Sequence, residues 1–316
     1  MKKTSFVLLS LALTALFSSG ISHAASATRS TKVTTRKTAP AAAPESNSES
    51  AGRNAPPQTQ PPRFGHEQAP AVQGTYGWKG FSVGAVTGYV DYKEPGLMRE
   101  YGLLYGVNGS YTSLNEVSGI QWNLEGELVA GRILYDGGDQ GGNRYTQPTS
   151  DYIAFIRATV GAYREMTTSW SATPFIGVGL RDLNDKIDGS GSYNRNISYL
   201  YIPVGAQIAG FVTDKWSLSF VADLDLMVSG TVVSKLSEAS SALPDVTNHD
   251  KGVGTRITAT SRWDLGSIGI HTGLFYQKWK IEQSDIVAVT ISGQKLGFAE
   301  PENESDFVGL NAGVDF

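Results

Sequence analysis

Apolar and polar residues alternate along much of the chain after residue 78, and the last stretch shows the pattern most clearly. From Val308 to Phe316 every second residue is apolar, and the residues between them are glycine, asparagine or aspartate. Successive side chains of a β-strand point to opposite faces, so this period of two predicts a strand with one apolar and one polar face.

The same alternation recurs in earlier segments, and we predict ten strands in total. Their ranges are residues 81–93, 99–112, 119–136, 151–164, 171–183, 197–211, 216–231, 253–264, 268–282 and 305–316. Each range is long enough to cross a membrane, because a tilted membrane strand needs about 9–11 residues. On the seventh strand, the apolar face comprises Trp216, Leu218, Phe220, Ala222, Leu224, Leu226 and Val228. An even number of such strands is typical of bacterial membrane barrels.

The connections at one end of the predicted strands are short, whereas most of those at the other end are long. Links at residues 113–118, 165–170, 212–215 and 265–267 are short. Of the links at the opposite end, 94–98 is short, whereas 137–150, 184–196, 232–252 and 283–304 are long and polar. Short periplasmic turns and longer extracellular loops distinguish outer-membrane barrels. The fold that we predict is therefore all-β, a transmembrane antiparallel up-and-down barrel of about ten strands, spanning residues 76–316.

Two segments precede the barrel. Residues 1–24 begin with Lys2 and Lys3, continue with an apolar core at 6–17 and end on Ser-His-Ala, which predicts a signal peptide cleaved after Ala24. Residues 25–75 are rich in Ala, Ser, Thr, Pro and Gln and poor in aromatic residues. Such a segment cannot bury enough apolar surface to offset its chain entropy, so we expect a disordered periplasmic linker.

Composition narrows the functional classes. The chain has 316 residues, a net charge of −4 and no cysteine, which excludes disulfides and thiol catalysis. Near-neutral charge without a basic, aromatic-rich motif argues against nucleic-acid binding. After residue 24 no apolar run reaches the about 20 residues that a transmembrane helix requires. Only a closed barrel could then satisfy the backbone groups in lipid.

The polar face of the predicted strands carries the charged residues with candidate chemistry. They are Glu125, Glu127, Arg157, Arg181, Asp223, Asp225, Arg256 and Arg262. We expect Glu127 near Arg157, and Asp225 near Arg256, because each pair lies on neighbouring strands at similar depth. The charges either fill a narrow interior with a hydrogen-bonded network or line a small pore. The balance of signs favours filling, since a selective channel more often has an excess of one sign.

Other candidate sites are weaker, and we expect no metal and no cofactor. His271 also faces inward, but it lies close to a short turn and far below Asp223 and Asp225, which disfavours a catalytic pair. The acidic segment 182–188 could suggest a Ca²⁺ site, yet Lys186 stands where a ligand should be, and a solvated loop is the better interpretation.

The alternating strands, the sorted loop lengths and the terminal Phe316 together resemble the outer-membrane β-barrel proteins of Gram-negative bacteria. The strand count resembles the size class of omptins and outer-membrane adhesins. This resemblance implies an outer-membrane location, contact with outer-membrane lipid and lipopolysaccharide, and recognition of the last strand by the barrel-assembly machinery. It also implies an extracellular ligand at the outer loops and places the N-terminal linker in the periplasm.

Omptin proteases carry an aspartate pair facing an aspartate–histidine pair at the outer rim. Here Asp91 has no neighbouring aspartate, and His249 and Asp250 are adjacent rather than spaced as in that family. We therefore transfer no catalytic residue and expect a non-enzymatic, structural or adhesin-like recognition role. The alternatives are a small porin-like solute pore and, third, an omptin-like rim protease.

Overall fold

The computed structural model describes residues 79–138, 143–188, 192–291 and 293–316. The predicted signal peptide at 1–24 and the predicted linker at 25–75 lie outside the described residues. The strands and one short helix are β1 (Gly80–Glu94), β2 (Met98–Asn115), β3 (Ile120–Gly138), β4 (Arg144–Ala162), β5 (Arg164–Glu165), β6 (Trp170–Lys186), β7 (Asn194–Thr213), β8 (Trp216–Ser234), α1 (Leu236–Ala239), β9 (Val246–Asp250), β10 (Gly252–Asp264), β11 (Gly269–Ile281), β12 (Val287–Ile291), β13 (Gln294–Phe298) and β14 (Asn303–Asp315).

Ten of these strands form one closed antiparallel barrel, in the order β1, β2, β3, β4, β6, β7, β8, β10, β11 and β14. Each pairs with the next, and β14 returns to pair with β1. The ring is continuous because β8 pairs with β10 along residues 216–226. Closure leaves no unpaired strand edge along the wall, which is the condition for a sheet in lipid. The predicted ten-stranded barrel is confirmed.

The two ends of the barrel differ. Short turns join β2 to β3, β7 to β8 and β10 to β11 at one end, which we call the inner end. At the opposite, outer end the strands run on beyond the length that a membrane needs. β3, β4 and β8 each have 19 residues, against about 9–11 for a crossing.

The predicted outer links were too long. Residues 144–150, 194–196 and 246–250 belong to strands, although the sequence analysis assigned them to loops. These extensions stand above the apolar band, where both faces of a strand are polar, so the alternation that marks a strand is lost there. β9 pairs with residues 230–234 at the outer end of β8, and β12 and β13 form a separate two-stranded hairpin.

The outer surface of the wall is apolar. On β8 the side chains of Phe220 and Leu224 are about half exposed, whereas Asp223 and Asp225 are buried inside. The predicted orientation of this strand is therefore confirmed. Near the inner end, Trp216 and Trp263 stack on the outer surface with ring centroids 6.5 Å apart. Among the described residues, no helix has the length and apolar character to span a membrane.

The last strand closes the ring against the first. The backbone N–H of Phe316 donates to the carbonyl of Phe81 at 2.8 Å, and the N–H of Phe81 donates back at 3.2 Å. In register above them, Ser82 lies opposite Asp315. The terminal aromatic residue is thus held at the inner end by paired backbone hydrogen bonds.

Candidate functional site

The interior of the barrel holds most of the buried charges, in layers along its axis. From the inner end outward, these are a base cluster around Asp315, a polar cavity, a central belt of charges, an apolar core and an outer cluster around Arg195. The central belt comprises Glu125, Glu127, Arg157, Asp223, Asp225 and Arg256.

Arg157 is the hub of the central belt. Its Nη1 donates to Asp223 Oδ2 at 3.1 Å, and its Nε contacts Glu125 on the neighbouring strand. Arg256 Nη1 donates to the same Glu125 carboxylate at 2.9 Å. Because β4 and β8 are not adjacent in the sheet, Arg157 bridges the lumen rather than decorating one wall.

The predicted pairs within this belt were shifted by two residues. The register places Glu125 opposite Arg157 and Asp223 opposite Arg256, whereas the sequence analysis paired these arginines with Glu127 and Asp225. The alternation along a strand predicts whether each side chain points inward or outward. It does not predict how far one strand is shifted along its neighbour, because that shift is set by the closure of the barrel. Glu127 and Asp225 are both buried.

Two of the predicted site residues lie outside the belt. Arg181 sits higher, with its guanidinium carbon 5.6 Å from the ring centroids of both Tyr199 and Trp279. Arg262 lies in the base cluster, where its Nε donates to Asp315 Oδ2 at 2.7 Å. The eight predicted charges are thus distributed over three layers.

The base cluster is built on Asp315, which is fully buried. Asp315 Oδ1 accepts a hydrogen bond from Ser82 Oγ at 2.5 Å and lies 2.9 Å from His271 Nδ1. Together with Arg262, these residues tie the last strand to β1, β10 and β11. His271 was predicted near the inner turn, whereas Asp315 was not among the predicted site residues, although Asp315 also faces inward by the alternation.

An apolar core fills the outer half of the lumen, which the sequence analysis did not predict. Trp279 packs against the rings of Tyr199 and Tyr201 at centroid distances of 5.2 and 5.3 Å. Phe275 meets Phe307 edge-on at 5.0 Å. The remaining members of the core are Val86, Val90, Leu104, Val129, Ile133, Ile153, Leu183, Ile197, Val232 and Ile281. Charges therefore fill only part of the interior.

Small residues make room for the large rings of this core. A Cβ on Gly179 would overlap the ring of Tyr201, and one on Gly88 would lie 2.5 Å from the ring of Phe307. Interior glycines opposite interior aromatic residues were the available sequence signal for the core. The signal is weak, because strand interiors also carry glycine for reasons of bending.

The outer cluster is acidic, with Arg195 at its centre. Arg195 Nη1 donates to Glu94 Oε1 at 2.6 Å, its Nε donates to Asp185 Oδ2 at 2.9 Å, and Glu300 Oε2 lies 3.6 Å away. Glu100 and Asp151 are buried as well. Burial of so many carboxylates around one guanidinium makes this cluster dependent on Arg195.

The structure corrects the interpretation of segment 182–188 as a solvated loop. Most of it belongs to β6, and Asp185 is only 4% exposed. Asp182 accepts from Ser198 Oγ at 2.5 Å, and Asp188 accepts from Arg132 at 2.6 Å. In the described part of the chain, no group of three or more acidic, histidine or cysteine side chains is arranged to hold a metal ion.

Contacts of Asn248 hold the β12–β13 hairpin at the outer end of the barrel, and we call these contacts the clamp. The amide Nδ2 of Asn248, which is 1% exposed, lies 3.0 Å from Ser284 Oγ and 3.3 Å from the carbonyls of Asp285 and Phe298. Ser284 Oγ also accepts from the backbone N–H of Glu300 at 2.8 Å. These contacts fix both ends of the hairpin at the barrel.

His249 and Asp250 point to opposite sides of β9. His249 is exposed, whereas Asp250 is 4% exposed and faces inward. Consecutive residues of a strand cannot meet as a hydrogen-bonded pair. The other histidine in the described ranges, His271, lies at the inner end, so the structure does not bring His249 and His271 together.

No protein-family model matches the sequence, and no protein of curated function matches it. The fold is similar to that of the outer membrane protease OmpT from Escherichia coli, with a TM-score of 0.50 and 8% identity over 75% of this chain and 94% of that chain. The toluene transporter TodX from Pseudomonas putida aligns with a TM-score of 0.33, 8% identity and coverages of 76% and 90%. The translocator domain of autotransporter NalP from Neisseria meningitidis aligns with a TM-score of 0.34, 11% identity and coverages of 75% and 89%.

The closed ring, the apolar outer surface and the polar interior layers define a transmembrane β-barrel. At 8% identity the OmpT similarity concerns the fold alone. The chain has the fold of a closed ten-stranded transmembrane barrel, and its particular role must be inferred from its own residues.

Proposed function

We propose that this protein is a non-enzymatic outer-membrane barrel with a sealed interior, which acts through the surface that it displays at the outer end. The single observation that carries the proposal is the apolar core. Aromatic and aliphatic side chains pack across the outer half of the lumen, and such a packed interior leaves no continuous polar path for an ion.

The clamped hairpin supports a displayed role. β12 and β13 are held at their base by Asn248, yet Ile286, just before β12, and Leu296 in β13 are 73% and 43% exposed. A rigidly held loop with exposed apolar side chains loses little entropy on binding a partner. In this proposal the paired charges of the lumen have a structural role, because they join strands across the interior.

The class of fold predicts which molecules surround and assemble the barrel. We propose that the apolar wall contacts outer-membrane lipid and lipopolysaccharide and that the assembly machinery recognises the strand ending in Phe316. The segment 25–75 stays a predicted periplasmic linker. An extracellular ligand would bind at the outer end.

Conductance tests the sealed interior. The full chain, purified from outer membranes and inserted into a planar bilayer, is expected to be silent. The double variant F275A/W279A removes two rings of the core and is expected to conduct. Y276A, which changes an outward-facing ring on the same strand, serves as the control and is expected to stay silent. Discrete steps from the unmodified protein would contradict the proposal.

A silent barrel alone does not establish recognition. We expect cells that display the protein to adhere to an epithelial monolayer, and cells displaying a variant with residues 286–298 replaced by a short glycine–serine turn to lose that adherence. Equal adherence at equal surface abundance would exclude this hairpin as the recognition element.

The alternative role is a small solute pore, and the polar inner half of the lumen favours it. The same conductance measurement separates it from the sealed barrel, because a pore conducts without any change to Phe275 and Trp279.

A further inference from the structure

The inner half of the lumen contains a cavity of about 180 Å³ below the apolar core. It extends from Ser82 and Thr112 near the inner end to Glu125 and Arg256 in the central belt. Because a cavity measured in this way needs only about 10–15 Å³ to hold one water molecule, this space admits several waters or one small molecule. A molecule of about the size of a monosaccharide would fit inside it. We call this space the inner cavity.

The wall of the inner cavity is made mainly of neutral hydrogen-bonding side chains. Amides and hydroxyls of this kind each offer donors, acceptors or both. Representative members are Asn108, Gln121, Asn123, Gln207, Thr258 and Asn311. Several already bond to one another, as when Gln121 Nε2 donates to Gln207 Oε1 at 3.1 Å.

The charges around the cavity are largely neutralised within the protein. Arg157 and Arg256 both reach Glu125, and Arg157 also bonds to Asp223. Arg262 bonds to Asp315 at the bottom of the cavity. An anionic ligand would have to compete with the carboxylates for these arginines, whereas a neutral polar ligand would leave the pairs in place.

Three polar groups at the cavity nevertheless retain hydrogen-bonding capacity. Arg256 Nε is a buried donor and Asn311 Oδ1 a buried acceptor, and neither has a partner among the described residues. Glu127 is only 7% exposed, and no side-chain hydrogen bond to it occurs within the described ranges. Leaving such groups unpaired is unfavourable. A molecule with several hydroxyls could donate to Glu127 and exchange hydrogen bonds with the amides and hydroxyls of the cavity wall.

Two aromatic rings complete the wall. Phe155 and Phe175 both line the cavity, and Arg256 lies over the Phe155 ring at 4.7 Å. A polyhydroxylated ring compound has apolar C–H faces beside its hydroxyls, so it matches a wall of amides, hydroxyls and rings. We propose that the inner cavity binds a small, neutral, polyhydroxylated molecule of monosaccharide size, which enters from the inner end.

Saturation-transfer NMR on the full chain tests this proposal. The protein is kept in an amine-oxide detergent, because a sugar-based detergent would compete, and D-glucose, D-galactose and myo-inositol serve as probes. We expect saturation transfer to at least one of them. T258L fills the cavity and is expected to weaken the dissociation constant at least tenfold. T255L, on the same strand but facing outward, is the matched control and is expected to bind like the unmodified protein.

A second variant keeps the proposal testable if T258L does not fold. E127Q keeps the shape of the side chain but removes its charge, and it is also expected to weaken binding. No transfer to any of the probes from a folded protein would overturn the proposal and leave the cavity to water. Equal transfer from the unmodified protein, T258L and E127Q would overturn it too, since the contact would then lie elsewhere. Stronger binding of glucosamine or glucuronate than of glucose would contradict the neutral ligand class.

Discussion

Arg195 and Glu94 lie 101 residues apart in the sequence, yet the guanidinium Nη1 of Arg195 donates to Glu94 Oε1 at 2.6 Å. Arg195 also bonds to Asp185 and lies 5.3 Å above the ring of Tyr92. One guanidinium therefore links β1, β6 and β7 at the outer mouth. Since its carboxylate partners are almost entirely buried, the stability of this end depends on a single cation.

Removal of Arg195 is expected to destabilise the barrel strongly. R195M leaves Glu94 and Asp185 buried without a cation, which costs about 3–5 kcal/mol when one partner of a buried pair is removed. The free energy of unfolding in urea, measured on protein refolded into lipid vesicles, checks this value. R132M breaks the exposed pair with Asp188 and should cost at most about 1 kcal/mol. Equal losses of unfolding free energy in R195M and R132M would contradict the central role of Arg195.

Loss of the clamp is expected to loosen the β12–β13 hairpin without unfolding the barrel. N248A removes the contacts to Ser284, Asp285 and Phe298, and hydrogen bonds contribute about 0.5–1.5 kcal/mol each. Hydrogen exchange of amides in residues 287–298 should therefore speed up about tenfold. H249A, which changes the outward-facing neighbour, should leave the exchange unchanged. Faster exchange in both variants would mean that β9 as a whole holds the hairpin.

The closed hairpin is expected to weaken as pH rises through the acidic range. Burial, and next the nearby Glu300 carboxylate, raise the pKa of Asp250 to about 6, against about 3.9 in an unfolded chain. The closed state then binds the proton more tightly than the open state, so its stability is greatest near pH 4 and falls until about pH 6. Exchange of the Ser284 and Glu300 amides, corrected for intrinsic rates, should speed up over this interval.

The variant D250N should lose much of this pH dependence. A part should persist, because burial also raises the pKa of Glu300. D245N is the control, since hydrogen bonds from Ser237 lower the pKa of Asp245 instead, and it should retain the full slope. An unchanged slope in D250N would assign the effect to other groups.

A methyl group at Gly179 is expected to disturb the apolar core. A Cβ there overlaps the Tyr201 ring, and overpacking of this kind costs about 1–3 kcal/mol. G179A should therefore lower the free energy of unfolding by that amount and broaden the NMR signals of the Trp279 ring, which packs on Tyr201. At Gly109 the nearest atom to an added Cβ lies 3.4 Å away, so G109A should fold with unchanged stability. A neutral G179A would show that the core is loosely packed.

Much of the wall could be predicted from the sequence because side-chain alternation is a local property. The face of β8 that carries Phe220 and Leu224 follows from its neighbours in the chain, and so does the inward direction of Asp223. The positions of the short turns could be predicted from the same local pattern. The outer extensions were missed because strands above the apolar band, such as residues 144–150, carry polar side chains on both faces.

By itself the sequence determined the number of barrel strands, the direction of the side chains along the predicted part of each strand and the end at which each link lies. Only the tertiary structure decided which inward residues meet. Arg157 reaches Glu125 on a neighbouring strand and Asp223, 66 positions away, across the lumen. It also decided that Trp279 and Tyr201 pack into a core that occludes the outer half. These contacts depend on stagger and closure, which are properties of the whole ring and are not encoded in the period of any single strand.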